Sequence, residues 1–133
     1  MLLNTTIMEE KIKIEMEYPI RSSIKILYDR LSTAGGLAEW FADDVLVNNN
    51  EFDFVWDNQS HPAELVSQKY LKYVRFRWKD MPDDQYFEFK ITSEELSGDT
   101  TLIITDFVTE TEKNGFISLW ESQINDLKRI LGT

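Results

Sequence analysis

The C-terminal segment, residues 114–132, most constrains the fold of this chain. It is NGFISLWESQINDLKRILG, and its large apolar residues recur every three or four positions. They form one stripe of five residues: Phe116, Trp120, Ile124, Leu127 and Leu131. This spacing predicts a long amphipathic helix, with Asn114 as its N-cap and Gly132 at its end. A helix of this kind is stable in a domain only when its apolar stripe packs on another layer of structure.

The preceding chain supplies such a layer, because most of it alternates apolar and polar residues with the period of a β-strand. The clearest case is EKIKIEMEY, residues 10–18, which Pro19 is expected to end. The same alternation predicts a hairpin with Asn48 to Asn50 in its turn, a second strand pair, and two further strands, at residues 44–56, 61–78, 85–92 and 100–110.

Two helices are predicted between the first strand and the hairpin. Ser22 or Ser23 offers an N-cap, and Gly35 is expected as the residue that ends the first helix. The apolar residues of the first helix are Ile24, Leu27, Tyr28 and Leu31, and those of the short second helix are Leu37, Trp40 and Phe41. The order of elements favours an α+β fold, with a bent antiparallel sheet of about seven strands and the C-terminal helix packed on its concave face.

The length of 133 residues and a hydrophobic fraction of 42% predict one domain with a core of its own. The periodic pattern covers residues 10–132, which we take as that domain. Residues 1–9 are expected to form a flexible extension. Their short apolar patch has no basic region before it and no cleavage site after it, so we expect a cytoplasmic protein without a signal peptide.

The net charge of −10 excludes several classes of partner. With 24 acidic and 14 basic residues, the chain lacks the basic surface that nucleic acids and anionic membranes require. The segment YVRFRWK, residues 73–79, does mix aromatic and basic residues, but its alternation predicts a strand with one basic face. No window is long and apolar enough for a membrane span.

Candidate catalytic and metal-binding residues are few. The chain has no cysteine and one histidine, His61, which leaves almost nothing from which to build a zinc site or a Ser-His-Asp arrangement. His61 is expected to be an exposed residue at a sheet edge. The acidic pairs Asp43–Asp44 and Asp83–Asp84 lack the ligand spacing of a calcium loop, so they are interpreted as solvated turns. No metal and no cofactor is predicted.

Asp106 interrupts the last long strand and admits two interpretations. In one phase it shares a face with Leu102 and Ile104, which would place its carboxyl inside or at the mouth of a cavity. Such a group needs a hydrogen-bonding partner or a raised pKa. In the other phase Ile103 and Phe107 point inward and Asp106 is exposed to water.

Arg75 and Arg77 alternate with Phe76 and also admit two roles. They could form ion pairs with Glu88 or with other acids across the sheet surface, which is the interpretation we favour. If their face were the concave one, they could instead bind a carboxylate ligand.

Two segments resemble the START-like superfamily, also called SRPBCC, whose domain is the helix-grip fold. Residues 23–41, SIKILYDRLSTAGGLAEWF, are similar to its early helices, and residues 101–132 are similar to its last strand and terminal helix. The second segment most resembles the branch related to the activator of a heat-shock chaperone's ATPase. The resemblance covers residues 10–132 and implies a helix-grip fold. It says little about function, because such folds carry lipid carriers, cyclases, receptors and chaperone cofactors.

The large aromatic residues predict either a ligand cavity or a filled core beneath the helix. Our first hypothesis is that an apolar or amphipathic small molecule binds between sheet and helix, without catalysis. The proposed lining is Trp40, Phe54, Trp56, Phe76, Trp78, Phe89, Ile104, Asp106, Phe116, Trp120 and Ile124. The alternatives are an interaction module, either chaperone-cofactor-like or a homodimer, and a cyclase-like enzyme using Asp106, Tyr28, Arg75 or Tyr86. Residues 37–41 are interpreted as a structural plug, or else as a gate.

Overall fold

A computed structural model of the chain describes residues 9–133. The predicted extension over residues 1–9 lies outside this range except for Glu9, whose carboxylate accepts hydrogen bonds from the backbone and hydroxyl of Thr111. The elements in chain order are β1 (Lys11–Ile20), α1 (Ile24–Ser32), α2 (Ala34–Leu37), β2 (Asp44–Asn48), β3 (Glu51–Trp56), β4 (Gln59–Lys69), β5 (Tyr73–Trp78), β6 (Phe87–Ser93), β7 (Thr100–Thr109) and α3 (Lys113–Leu131).

The seven strands form one antiparallel sheet in the order β1-β7-β6-β5-β4-β3-β2. Helix α3 buries Trp120, Ile124 and Leu127 in the core that the sheet lines on one face. The rings of Trp120 and Phe89 lie 5.8 Å apart, centre to centre, across this layer. The α+β helix-grip architecture predicted from the sequence is confirmed.

The first strand is longer than predicted. Pro19 does not end β1, which continues to Ile20 with Pro19 opposite Thr101. The proline is tolerated because β1 lies at one edge of the sheet formed by residues 9–133, where one side of the strand needs no hydrogen-bond donor. Ser23 is the N-cap of α1, as one of the two predicted candidates, and its hydroxyl accepts the backbone N–H of Ile26 at 3.1 Å.

The prediction that Gly35 ends the first helix is wrong. Thr33 separates α1 from α2 and caps α2 by accepting the backbone N–H of Gly36 at 2.9 Å, while Gly35 lies inside α2. The sterically critical residue is Gly36, because a Cβ there would lie 2.7 Å from the Cα of Arg30 and closer still to the carbonyl oxygen of Asp29. The end of α1 and helix α2 lie so close together here that only glycine fits.

Two further boundaries differ from the prediction. Helix α2 ends at Leu37, so Trp40 and Phe41 lie in the turn that follows it rather than in the helix. Asn114 does not cap α3, because a short 3₁₀ turn leads directly into that helix and Lys113 is its first residue. Gly132 does end α3, with a φ of 78° that suits glycine.

The core is largely aromatic. The ring of Phe41 stacks on Trp120 at 5.7 Å and meets the edges of Phe54 and Trp56 at 5.1 and 5.2 Å. The turn after α2 therefore joins the sheet to α3, which matches the interpretation of residues 37–41 as a plug. Trp40 beside it is 5% exposed and donates its indole N–H to the carbonyl oxygen of Arg30 at 2.8 Å.

Candidate functional site

A cleft of about 510 Å³ lies between the N-terminal half of α3 and the end of the sheet at which β6 stops pairing with β5 and β7. Residues 79–86, which join β5 to β6, form one wall, and Phe41 with the β3–β4 turn forms another. The lining consists of Lys11, Phe41, Trp56, Asp57, Trp78, Met81, Gln85, Tyr86, Asp106, Phe107, Phe116, Leu119, Trp120 and Gln123. A cleft of this size with mostly apolar walls and a few polar groups is typical of small-molecule sites.

Asp106 is the buried polar group of the cleft. It shares the α3-facing side of β7 with Leu102 and Ile104, so the first of the two phases considered from the sequence is the observed one. Its two carboxylate oxygens accept hydrogen bonds from the backbone N–H of Phe107 at 2.7 Å and from the indole N–H of Trp120 at 3.2 Å. The carboxyl is thus held by β7 and α3 at once.

Burial raises the pKa of the Asp106 carboxyl from 3.8 to about 7. The loss of hydration disfavours the charged form, and this effect exceeds the opposing hydrogen bonds from Phe107 and Trp120 and the attraction of Lys11. The site therefore contains a carboxyl that is partly protonated near neutral pH. A perturbed group of this kind in a cleft is a candidate for ligand binding.

The aromatic walls are held in place by hydrogen bonds. The carbonyl oxygen of Phe41 accepts the indole N–H of Trp56 at 2.9 Å and the side-chain amide of Gln123 at 3.2 Å. The backbone N–H of Asp57 donates to the carboxylate of Asp43 at 2.9 Å, which fixes the β3–β4 turn beside the cleft. The backbone of Phe41 therefore links the end of β3 to α3 beside the cleft.

Five of the residues proposed from the sequence line this cleft: Trp56, Trp78, Asp106, Phe116 and Trp120. The other six lie in the packed core instead, each 5% exposed or less: Trp40, Phe54, Phe76, Phe89, Ile104 and Ile124. Trp40 lies in the turn after α2, and the other five lie on the inner face of the sheet or on the buried stripe of α3, where helix and sheet are packed together.

Sequence reasoning missed several lining residues. Met81 and Gln85 belong to an irregular loop, and Phe107 and Lys11 lie on strand positions that point away from the core in a regular alternation. Their participation depends on where the pairing of β6 with its neighbours ends, which no local pattern encodes. Leu119 had a usable signal in the sequence, because it is a large apolar residue outside the predicted stripe of α3. In the structure it is 56% exposed.

The remaining candidates lie elsewhere. Arg75 pairs with Glu88 at 2.8 Å and Arg77 with Glu64 at 3.2 Å, both on the sheet face away from α3, which confirms the ion-pair interpretation. Tyr28 lies on α1 near Gln68, so of the four polar residues considered for an enzyme only Asp106 and Tyr86 line the cleft.

His61 is exposed, as predicted, but it is not at a sheet edge. Strand β4 lies between β3 and β5, and the imidazole packs against the rings of Trp56 and Trp78 at 5.5 and 6.5 Å. Within residues 9–133 no group of three or more His, Asp or Glu side chains has an arrangement that could hold a metal ion. No helix in this range combines the length and apolar character that crossing a bilayer requires.

Comparison with known proteins places the chain in a family. The model of the START-like superfamily domain matches residues 8–133. The solution structure of BfR322 from Bacteroides fragilis is 36% identical over 91% of both chains, with a TM-score of 0.67. Among curated proteins, none matches this sequence.

More distant solved structures share the fold alone. The Aha1 dimer from Colwellia psychrerythraea is 18% identical, with a TM-score of 0.75 over 90% of this chain and 96% of that one. An uncharacterised protein from Bacillus thuringiensis is 10% identical, with a TM-score of 0.76 over 92% of this chain and all of that one. The family match over nearly the whole sequence and the seven-stranded helix-grip architecture together lead to one conclusion: this chain belongs to the START-like superfamily.

Proposed function

We propose that this protein binds an apolar or amphipathic small molecule in the cleft between α3 and the sheet. The observation that carries the proposal is the cleft of about 510 Å³, with its aromatic walls and one buried carboxyl. Burying an apolar ligand there would remove the exposed faces of Trp56, Trp78 and Phe116 from water, at about 25 cal/mol for each Å² covered. The proposal is for binding alone and assigns no catalytic residues.

The test is the binding of the neutral apolar dye Nile red, followed by its fluorescence. Leu119→Lys places an ammonium group at the mouth of the cleft, where a bound apolar ligand would have to desolvate it. Leu119 is 56% exposed, so this substitution should leave the core intact. We expect micromolar binding to the unmodified protein and a loss of about tenfold or more in the variant.

Leu96→Lys is the matched control. Leu96 is fully exposed and does not line the cleft, so the same change of side chain there should leave dye binding unaltered. Absence of dye binding by the unmodified protein, or equal binding by the Leu119 variant, would refute the proposal. Native mass spectrometry of protein purified without detergent then identifies any molecule retained from the host.

Homodimer formation is a second candidate, favoured by strand β2. This strand ends the sheet in the described residues, and Leu46 and Val47 on it are 57% and 44% exposed. An exposed apolar edge strand can pair with another chain. One structural relative is described as a dimer. Light scattering at increasing concentration tests this, and a mass that stays at 15.7 kDa would exclude it.

A further inference from the structure

Asp106 has hydrogen-bonding capacity that the protein does not use. An ionised carboxylate offers about four acceptor positions. Within residues 9–133 two donors reach this one, the backbone N–H of Phe107 and the indole N–H of Trp120, and no ion pair of the described residues includes it. Asp106 as a residue is 9% exposed, and it is one of the residues that line the cleft.

The surroundings of Asp106 favour a positive charge over a negative one. Two acidic residues, Asp106 and Asp57, and one basic residue, Lys11, line the cleft. The ammonium of Lys11 lies 3.5 Å from the sulfur of Met81 and is not ion-paired with Asp106. Tyr86 adds a phenol from the β5–β6 loop, and none of the α3 residues in the lining is charged.

The aromatic walls of the cleft also favour a positively charged ligand. Trp56, Trp78 and Trp120 all line the cleft, and indole faces attract cations within about 6 Å of the ring centre. A ligand carboxylate would instead meet a second carboxyl in a partly desolvated site, where two like charges disfavour each other. Asp106 loses its hydration when the protein folds, so the free-energy cost of that desolvation belongs to folding rather than to ligand binding. A cation that binds there therefore meets a carboxylate that is already desolvated.

We propose that the ligand of this cleft is an amphipathic amine, whose ammonium group binds the carboxylate of Asp106 while its apolar part covers the aromatic walls. This inference rests on the proposed function, because it names the chemical class of the molecule that the cleft takes. Asp106 selects the head group, and the cleft walls accept a range of apolar tails.

The test compares three probes with the same tail, namely decylamine, decanol and decanoate, each below its micelle-forming concentration. Their binding to the full chain is measured by isothermal titration calorimetry at pH 8. A hydrogen bond to a charged group predicts that decylamine binds about tenfold to a hundredfold tighter than decanol. Asp106→Asn, which keeps the size of the side chain and removes its charge, should abolish that preference.

Asp99→Asn is the matched control, because it removes an exposed carboxylate that does not line the cleft. The same change of side chain there should leave the fold and the preference for decylamine unaltered. In the unmodified protein, decylamine affinity should also fall between pH 8 and pH 6, because Asp106 becomes protonated while the ligand stays charged. This second measurement does not depend on whether a variant folds.

The outcomes separate the two proposals. If none of the three probes binds, the proposed function fails, and this inference fails with it. If the probes bind but decylamine is not preferred, or its preference survives Asp106→Asn, the cleft binds apolar molecules without an amine site. Tightest binding by decanoate would assign the head group to Lys11 and overturn the inference. Loss of the preference in the Asp99 variant alone would do the same.

Discussion

The pH dependence of stability should reveal the buried carboxyl of Asp106 directly. In the unfolded chain this group has its ordinary pKa of 3.8, whereas burial raises the pKa to about 7 in the fold. Between these two values the folded state binds a proton that the unfolded state has released. Folding stability must therefore fall as pH rises through this interval, and it levels off above pH 7.

The size of the effect follows from the difference between the two pKa values. Each tenfold change in proton affinity corresponds to about 1.4 kcal/mol, so the ionised carboxyl destabilises the fold by about 4 kcal/mol relative to the protonated one. Between pH 5 and pH 8 the contribution of this carboxyl to the free energy of unfolding changes by about 2–3 kcal/mol. Asp106→Asn removes this dependence, at a roughly constant cost of about 1 kcal/mol, because the amide keeps one acceptor oxygen for the two donors of Phe107 and Trp120.

Urea unfolding of both proteins at several pH values measures this difference. Every other carboxyl group is common to both proteins, so its contribution cancels in the comparison. We expect the unmodified protein to lose about 2–3 kcal/mol relative to the Asp106→Asn variant as the pH rises from 5 to 8. Parallel pH profiles for the two proteins would refute the reasoning.

A spectroscopic measurement checks the same titration without a variant. The indole N–H of Trp120 donates to the carboxylate of Asp106, so its NMR resonance should shift with a midpoint near pH 7. The indole N–H of Trp40 is an internal control, because it donates to the backbone carbonyl of Arg30 and should not titrate there. A Trp120 resonance that moves only below pH 5 would mean that burial does not control this group.

Two substitutions test the packing around α2. In thermal unfolding, Gly36→Ala should destabilise the fold by about 1–3 kcal/mol, because the new Cβ would overlap the backbone of Asp29 and Arg30. Gly35→Ala is the control and should be neutral or stabilising, because the space around its Cβ is open. Trp40→Ala should cost about 3–5 kcal/mol in urea unfolding, because it empties a buried site and leaves the carbonyl oxygen of Arg30 without its donor. A much smaller loss, together with tighter Nile red binding, would indicate that Trp40 is a gate.

The elements themselves could be predicted because their periodicity is a property of consecutive residues. Burial on only one side forces Ile14 and Met16 inward on β1, and it forces Trp120, Ile124 and Leu127 onto one stripe of α3. The helix boundaries predicted at Gly35 and Asn114 are wrong, because each of these residues is a favourable capping residue when only its neighbours in the sequence are considered. The crossing of α1 with α2 and the 3₁₀ turn before α3 decide where those helices begin and end.

The sequence by itself determined the class of the fold, since the order of its alternating and helical segments allows few arrangements and the aromatic residues must share one core. Tertiary structure decided the rest. The phase of β7 is undetermined by its own residues, because both of its faces carry apolar side chains, and only pairing with β1 and packing of α3 turn Asp106 inward. The cleft likewise lies where the pairing of β6 with β5 and β7 ends beneath α3, and this depends on how distant segments meet rather than on any of them alone.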